Sequence, residues 1–139
     1  MLKWTASVEV FDYDILILPI HTPGHWSLVV LNLEKERLVY YDSLHGDGTK
    51  HANLIKGFVA EYVVERGYAT EDRSSYFLTV DPSNWLCCCP KQQNGFDCGV
   101  FVCKFAECVS RGSRMEYTQP QMAVIRKKIA EEILGGELF

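Results

Sequence analysis

The chain has 139 residues, 47% of them hydrophobic and 23% charged, with a net charge of −4 and a pI near 5.5. That length suits one compact domain, and the composition builds a core and excludes a disordered tail. The mild acidity argues against a nucleic-acid binder, which normally carries a basic excess, and no apolar run approaches the roughly 20 residues of a membrane span.

The N-terminal "MLKWTASVEVFDYD" lacks the basic–apolar–small order of a secretory signal. A cytosolic or nuclear compartment is therefore expected, with the six cysteines as thiols. There is no internal repeat, low-complexity tract or Pro/Ser-rich linker.

"DILILPI" (14–20) is a short apolar run bounded by Asp14 and by Pro23-Gly24, and it reads as a buried strand. "HWSLVVLNL" (25–33) is a second strand and "RLVYYDS" (37–43) a third, with "EKE" between them, so these two form an antiparallel hairpin. "LHGDG" (44–48) is a loop. From about His51 to Arg66, apolar residues recur at helical spacing, and Gly67 is a C-terminal stop. "SSYFLTVDP" reads as a short strand and "NWLCCCP" as an extended piece ended by Pro90.

Asp97 is an N-cap candidate for a helix from about Cys98 to Ser110, stopped by Gly112. That helix is apolar nearly all round, the pattern of a helix buried in the centre of a domain. A last helix starts near Thr118, where "TQPQ" fits a capping box with Gln121 and Pro120 lies close to the first position. It runs to about Leu134 and ends at Gly135-Gly136. A sheet of at least three strands interleaved with helices makes the class α+β.

The chemistry gathers at Cys98. A thiol on the first turn of a helix meets unpaired N–H groups and the positive end of the helix dipole, which favour the thiolate, the reactive form. Asn94, Gly95 and Gly99 flank it with small or turn-prone residues that leave backbone room for a substrate. Cys103 and Cys108 lie further along the helix and read as small core residues. Cys87, Cys88 and Cys89 are consecutive, whereas zinc sites want pairs spaced by about two to four residues with a second pair at a distance. No metal site is expected.

A thiol that acts as a nucleophile needs a base, and the chain has four histidines. His45 and His51 sit in or beside the Gly-rich loop and read as solvated, while His21 and His25 flank the Pro23-Gly24 turn. If the hairpin loop has two or four residues, facing residues carry numbers that sum to an odd value near 69. His25 then shares a face with Leu44 and, diagonally, with Asp42, at roughly 7–8 Å between Cα atoms. A loop of odd length would put them on opposite faces. A carboxylate on one ring nitrogen fixes the tautomer so that the other can take a thiol proton. Gln92 and Gln93 lie on the loop that delivers Cys98, and a side-chain amide can donate to a developing oxyanion. Position alone does not choose between the two.

Together these residues resemble the SUMO-specific (sentrin-specific) protease family, cysteine peptidases of the ubiquitin-like-protease type. The matching pieces are "WT…VFDYDILILPIH", "HWSLVVLNL", "YYDS", "QQNGFDCGVFVCKFAEC" and "MAVIRKKIAEEIL", in family order from Trp4 almost to the C-terminus. The resemblance implies a papain-like α+β fold of the ubiquitin-like-protease type. Its mixed or antiparallel sheet is packed with helices, and the nucleophile stands at the N-terminus of a buried helix. His25 looks like the general base, Asp42 the orienting acid and Cys98 the nucleophile. The family's oxyanion glutamine stands six residues before the nucleophile, which selects Gln92 over Gln93. Trp26 resembles the tryptophan that helps enclose the substrate's C-terminal Gly-Gly.

The implied reaction is hydrolysis after that Gly-Gly, releasing SUMO from a target lysine or trimming its precursor, with no metal or organic cofactor. The expected partner is SUMO or a SUMO-conjugated protein, with no nucleic acid or membrane involved, and the chain is expected to be a monomer. Residues 1–139 read as a single catalytic domain without the N-terminal portion that supplies more of the family's substrate groove. Localisation to the nucleus or cytoplasm is expected by resemblance only, since "RKK" (126–128) falls on a helix and reads as a solvated face. Two alternatives stay open: a protease for another ubiquitin-like modifier such as NEDD8, and a truncated, catalytically weak SUMO-binding domain.

Overall fold

The computed structural model of the chain describes residues 2–35, 37–67 and 89–139. The sequence-expected strand "SSYFLTVDP" and most of "NWLCCCP" fall outside them. Three strands, β1 (Ile15–Thr22), β2 (His25–Asn32) and β3 (Arg37–Tyr41), form an antiparallel sheet in chain order. Three helices are described: α1 (Thr49–Glu65), α2 (Cys98–Arg111) and α3 (Met122–Gly135). No helix among the described residues is long and apolar enough to cross a membrane.

Each turn follows from its residues. Pro23-Gly24 joins β1 to β2, with Gly24 at φ +75° where a side chain would be strained. Pro19 has no N–H to give and is tolerated because β1 ends the described sheet. The β2–β3 loop spans four residues, between Asn32 and its partner Arg37. Leu28 faces Tyr41 and Val29 faces Tyr40, so the pair sums are 69, the odd value that follows from a loop of even length, and the odd-length alternative is ruled out.

β2 runs through the centre and is buried on both faces. Val29 and Leu31 join Leu38 and Tyr40 against α1, where Ile55, Val59, Tyr62 and Val63 complete one core. Leu28 and Val30 join Tyr41 against α2, with Val100, Phe101, Phe105 and Cys108 in a second core that Tyr117 and Met122 extend. The period-2 alternation of strand side chains makes this division. The α+β class and the antiparallel hairpin stand as expected.

α2 begins at Cys98 and ends at Gly112, which takes the left-handed conformation at φ 64°. It is less uniformly buried than its composition suggests. Cys108 is core, but Cys103 is exposed and lines a groove between α2 and α3, so the expectation of a core residue fails there. The helix turns 100° per residue, and position 103 falls on the stripe that points away from the sheet. The expected capping box at Thr118 forms, with Gln121 Oε1 accepting the Thr118 N–H at 2.8 Å. It closes a short 3-10 turn (Gln119–Gln121) that leads into α3.

The two faces of α2 should answer differently to truncation. Phe101→Ala, at a fully buried position, should cost about 3–5 kcal/mol in urea unfolding. Cys103→Ala should stay within about 0.5 kcal/mol of the parent chain. Equal losses would contradict the placement.

Candidate active site

The antiparallel hairpin puts the first residue of β2 and the residues after β3 at one end of the sheet. His25 and Asp42 meet there, with His25 Nε2 2.7 Å from Asp42 Oδ1. The odd pair sum explains the meeting, because it sends residues 25 and 42 to the same face. A carboxylate at this nitrogen accepts the Nε2 proton, which leaves Nδ1 as the ring atom free to take another.

Asp42 is buried, and a buried carboxylate needs donors. Both oxygens have two. Oδ1 accepts from His25 and, at 2.8 Å, from the Leu44 N–H. Oδ2 accepts from the Gly46 N–H at 3.1 Å and the Tyr40 hydroxyl at 3.3 Å. The loop after β3 curls around the carboxylate to present those amides, with His45 at φ 57° making the bend. Gly46 has to be glycine for this: a Cβ there would lie 2.7 Å from Asp42 Oδ2. Gly48 is similarly tight, since a Cβ would lie 2.2 Å from the Tyr40 ring. Burial pushes the Tyr40 hydroxyl above its usual pKa, with the charge of Asp42 adding to the effect, so it stays a donor.

Ser43 ties the next segment to this end of the sheet. The Gln92 N–H donates to the Ser43 carbonyl at 2.7 Å, and the Ser43 hydroxyl donates to Gln92 Oε1 at 2.8 Å. Gln92 is buried and Gln93 is exposed, so the structure separates two glutamines that sequence position could not. Gln92 Nε2 donates one proton to the Asn94 carbonyl at 2.5 Å. The second makes only a long contact, 3.5 Å, to Asn94 Oδ1, weak enough for a better-placed acceptor to displace.

Six residues on, Cys98 opens α2 and is buried, on the helix that packs against β2. Among the described residues no hydrogen bond joins its thiol to His25. Asp97 occupies the N-cap position, but its carboxylate does not cap the helix. It binds Asn94 Nδ2 at 2.7 Å, Gln119 Nε2 at 2.7 Å and Arg126 Nη2 at 2.5 Å. The expectation of a side-chain cap is thereby corrected: side-chain donors from the loop and from the α3 segment take the carboxylate instead. The Asn94 hydrogen bond, aided by Gln119 and Arg126, holds Asp97 below the usual carboxylate pKa against the opposing effect of burial.

Trp26 is exposed beside His25, and its indole packs on the His21 ring at 4.5 Å between centroids. His45 and His51 are not simply solvated. His45 Nε2 lies 2.9 Å from the Cys89 carbonyl, and His51 stacks on Tyr40. Ser43, Tyr40, Gly46 and Gly48 went unassigned in the sequence. The glycine pair in "LHGDG" was the available signal, although it read only as a loop. No cluster of metal-ligating side chains occurs among the described residues.

A sheet between helix layers, with a thiol opening the buried helix and an imidazole–carboxylate pair at the sheet's end, is the frame of a cysteine peptidase. The chain belongs to the Ulp1 protease family, C-terminal catalytic domain, whose family model matches residues 1–138. It is 35% identical over 138 residues to sentrin-specific protease 2 of Rattus norvegicus, covering 99% of this chain and 23% of that protein. It is 31% identical over 137 residues to a sentrin-specific protease of Caenorhabditis elegans, covering 99% of this chain and 19% of the relative. The chain thus spans about a fifth of the length of these two relatives. The fold matches the solved C-terminal Ulp1 protease domain in complex with Smt3, the yeast ortholog of SUMO. The TM-score is 0.69 at 24% identity, over 96% of this chain and 57% of that one.

Gly46→Ala tests the cradle around Asp42. A charge-assisted hydrogen bond contributes about 1.5–3 kcal/mol. Displacing the carboxylate should therefore slow iodoacetamide alkylation of Cys98 about tenfold, read by peptide mass spectrometry. An unchanged rate would show that the cradle does not bear on the thiol.

Proposed function

We propose that the chain carries the catalytic machinery of a thiol isopeptidase that cleaves after the C-terminal Gly-Gly of SUMO. The observation that carries this reading is the 2.7 Å contact of His25 Nε2 with Asp42 Oδ1. It stands at the end of the sheet to which Ser43 ties the Gln92 loop. Family membership supports the reaction class.

In this reading Cys98 Sγ attacks the carbonyl carbon of the terminal glycine, and the thiol proton passes to His25 Nδ1. Asp42 stabilises the imidazolium that forms. The oxyanion of the tetrahedral intermediate takes the second Nε2 proton of Gln92 and a backbone N–H from the first turn of α2, where no intrahelical partner exists. The carbon–nitrogen bond breaks as His25 returns its proton to the lysine ε-amine. A thioester remains on Cys98. Water, deprotonated by His25, attacks it, and the modifier leaves with a free carboxylate while the thiol is restored.

Trp26 would lie over the glycines. An exposed indole braced by His21 offers a flat apolar wall, against which a chain without side chains fits closely. The matched residues are part of the solved domain, so the proposal concerns the machinery they carry.

The test is turnover of a SUMO–lysine isopeptide substrate by the purified chain. Cys98→Ser should remove turnover. Asp42→Asn should lower kcat by about 10⁴-fold, and Gln92→Ala by about 10²–10³-fold. Labelling by a C-terminal electrophilic NEDD8 probe, with none by a SUMO probe, would overturn the substrate assignment. SUMO binding without turnover would favour a binding domain.

A further inference from the structure

The segment from Gln92 to Asp97 has no helix or strand of its own, yet it carries the amide assigned to the chemistry and leads directly into Cys98, which carries the thiol. Ser43 fastens one end. The other end is fastened by Asp97, whose side chain is only 7% exposed.

We infer that Asp97, Gln119 and Arg126 form a latch between this segment and α3, which makes Gln119 and Arg126 positioning residues for Gln92 and Cys98. The inference rests on the roles proposed above for those two residues. Gln119 spans the segment with both ends of one amide. Its Oε1 accepts the Gln93 N–H at 2.9 Å, and its Nε2 donates to Asp97 Oδ2 at 2.7 Å. Asn94 closes the inside of the turn. Its Oδ1 accepts the N–H groups of Phe96 and Asp97 at 3.2 and 3.0 Å, and its own carbonyl holds Gln92 Nε2. A continuous run of contacts therefore leads from Arg126 through Asp97 and Asn94 to the amide proposed for the oxyanion.

Charge gives the latch a second effect. Asp97 immediately precedes Cys98, so an uncompensated carboxylate there would oppose a thiolate. Arg126 is the charged group facing Asp97 among the described residues, at 2.5 Å on Oδ1. Its guanidinium places the compensating charge. Arg126 is thus more than part of a solvated basic run, in contrast to Lys127, whose side chain is 79% exposed.

The experiment measures, on the full chain, the pH profile of Cys98 alkylation by iodoacetamide, assigned by peptide mass spectrometry, together with kcat and KM on the isopeptide substrate. Arg126→Met should move the alkylation midpoint up by about half a pH unit, and Asp97→Asn should move it down by a similar amount. Arg126→Lys should keep the midpoint and recover only part of kcat, because it restores charge without the planar fork. Gln119→Met should leave the midpoint in place. Arg126→Met and Gln119→Met should each lower kcat about tenfold with KM within about twofold. Midpoints that move the same way for Arg126→Met and Asp97→Asn, or do not move, would overturn the charge role. An unchanged kcat in Arg126→Met and Gln119→Met would overturn the positioning role. Should Asp97→Asn fail to fold, Arg126→Met against Arg126→Lys decides, since that side chain is 54% exposed. Alkylation needs no substrate, so a parent chain without turnover would count against the proposed function and the positioning role together, while the charge role of the latch is still read.

Discussion

A carboxylate taken out of water has to be surrounded by donors, and the end of this sheet is organised around one that is. Asp42 holds His25 through one oxygen while two backbone amides and a tyrosine hydroxyl hold Asp42. The four-donor arrangement leaves the carboxylate little freedom to turn, and it removes the desolvation penalty that a lone buried charge would bear. His25 inherits that rigidity. Its ring is held at Nε2, so the loop that follows β3, by fixing Asp42, selects the rotamer that orients Nδ1.

The two cores explain why the end of the sheet is available for this. β2 is buried by α1 on one side and by α2 on the other, which fixes its position from both faces. Its first residue is His25, at the strand's margin, where the side chain is partly open and the backbone is still held in register. The second core also sets the height of α2, and with it the place of Cys98. Packing that stabilises the fold thus places His25 and Cys98, while the polar contacts of Ser43, Asp97 and Gln119 fix the irregular segment that leads to Cys98.

Much of this was legible in the sequence, for reasons that can be named. Parity linked His25 to Asp42 for any even hairpin loop, but the even length itself came from the pairing of Asn32 with Arg37, which leaves Leu33 outside the β2–β3 ladder. The apolar spacing and Gly112 marked the body and end of α2, and Asp97 marked its start, which gave Cys98 its place at the positive end. Other features depend on contacts between distant segments. Gln92 and Gln93 differ because Ser43, 49 residues before Gln92, accepts one of them into the core. Asp97 looked like a cap because local sequence shows only the helix it precedes, whereas its partners Gln119 and Arg126 arrive from α3 and the turn before it. Cys103 looked buried because an apolar helix conceals which stripe faces outward until its neighbours are placed.

The central claim is that Asp42 fixes the tautomer of His25 with the proton on Nε2. Long-range ¹H–¹⁵N correlation on the folded, ¹⁵N-labelled chain reads this directly at a pH where the imidazole is neutral. The account predicts that His25 shows a protonated Nε2, with its proton shifted far downfield by the carboxylate, and an unprotonated Nδ1. A His25 with the proton on Nδ1, or one that exchanges freely between the two tautomers, would contradict it.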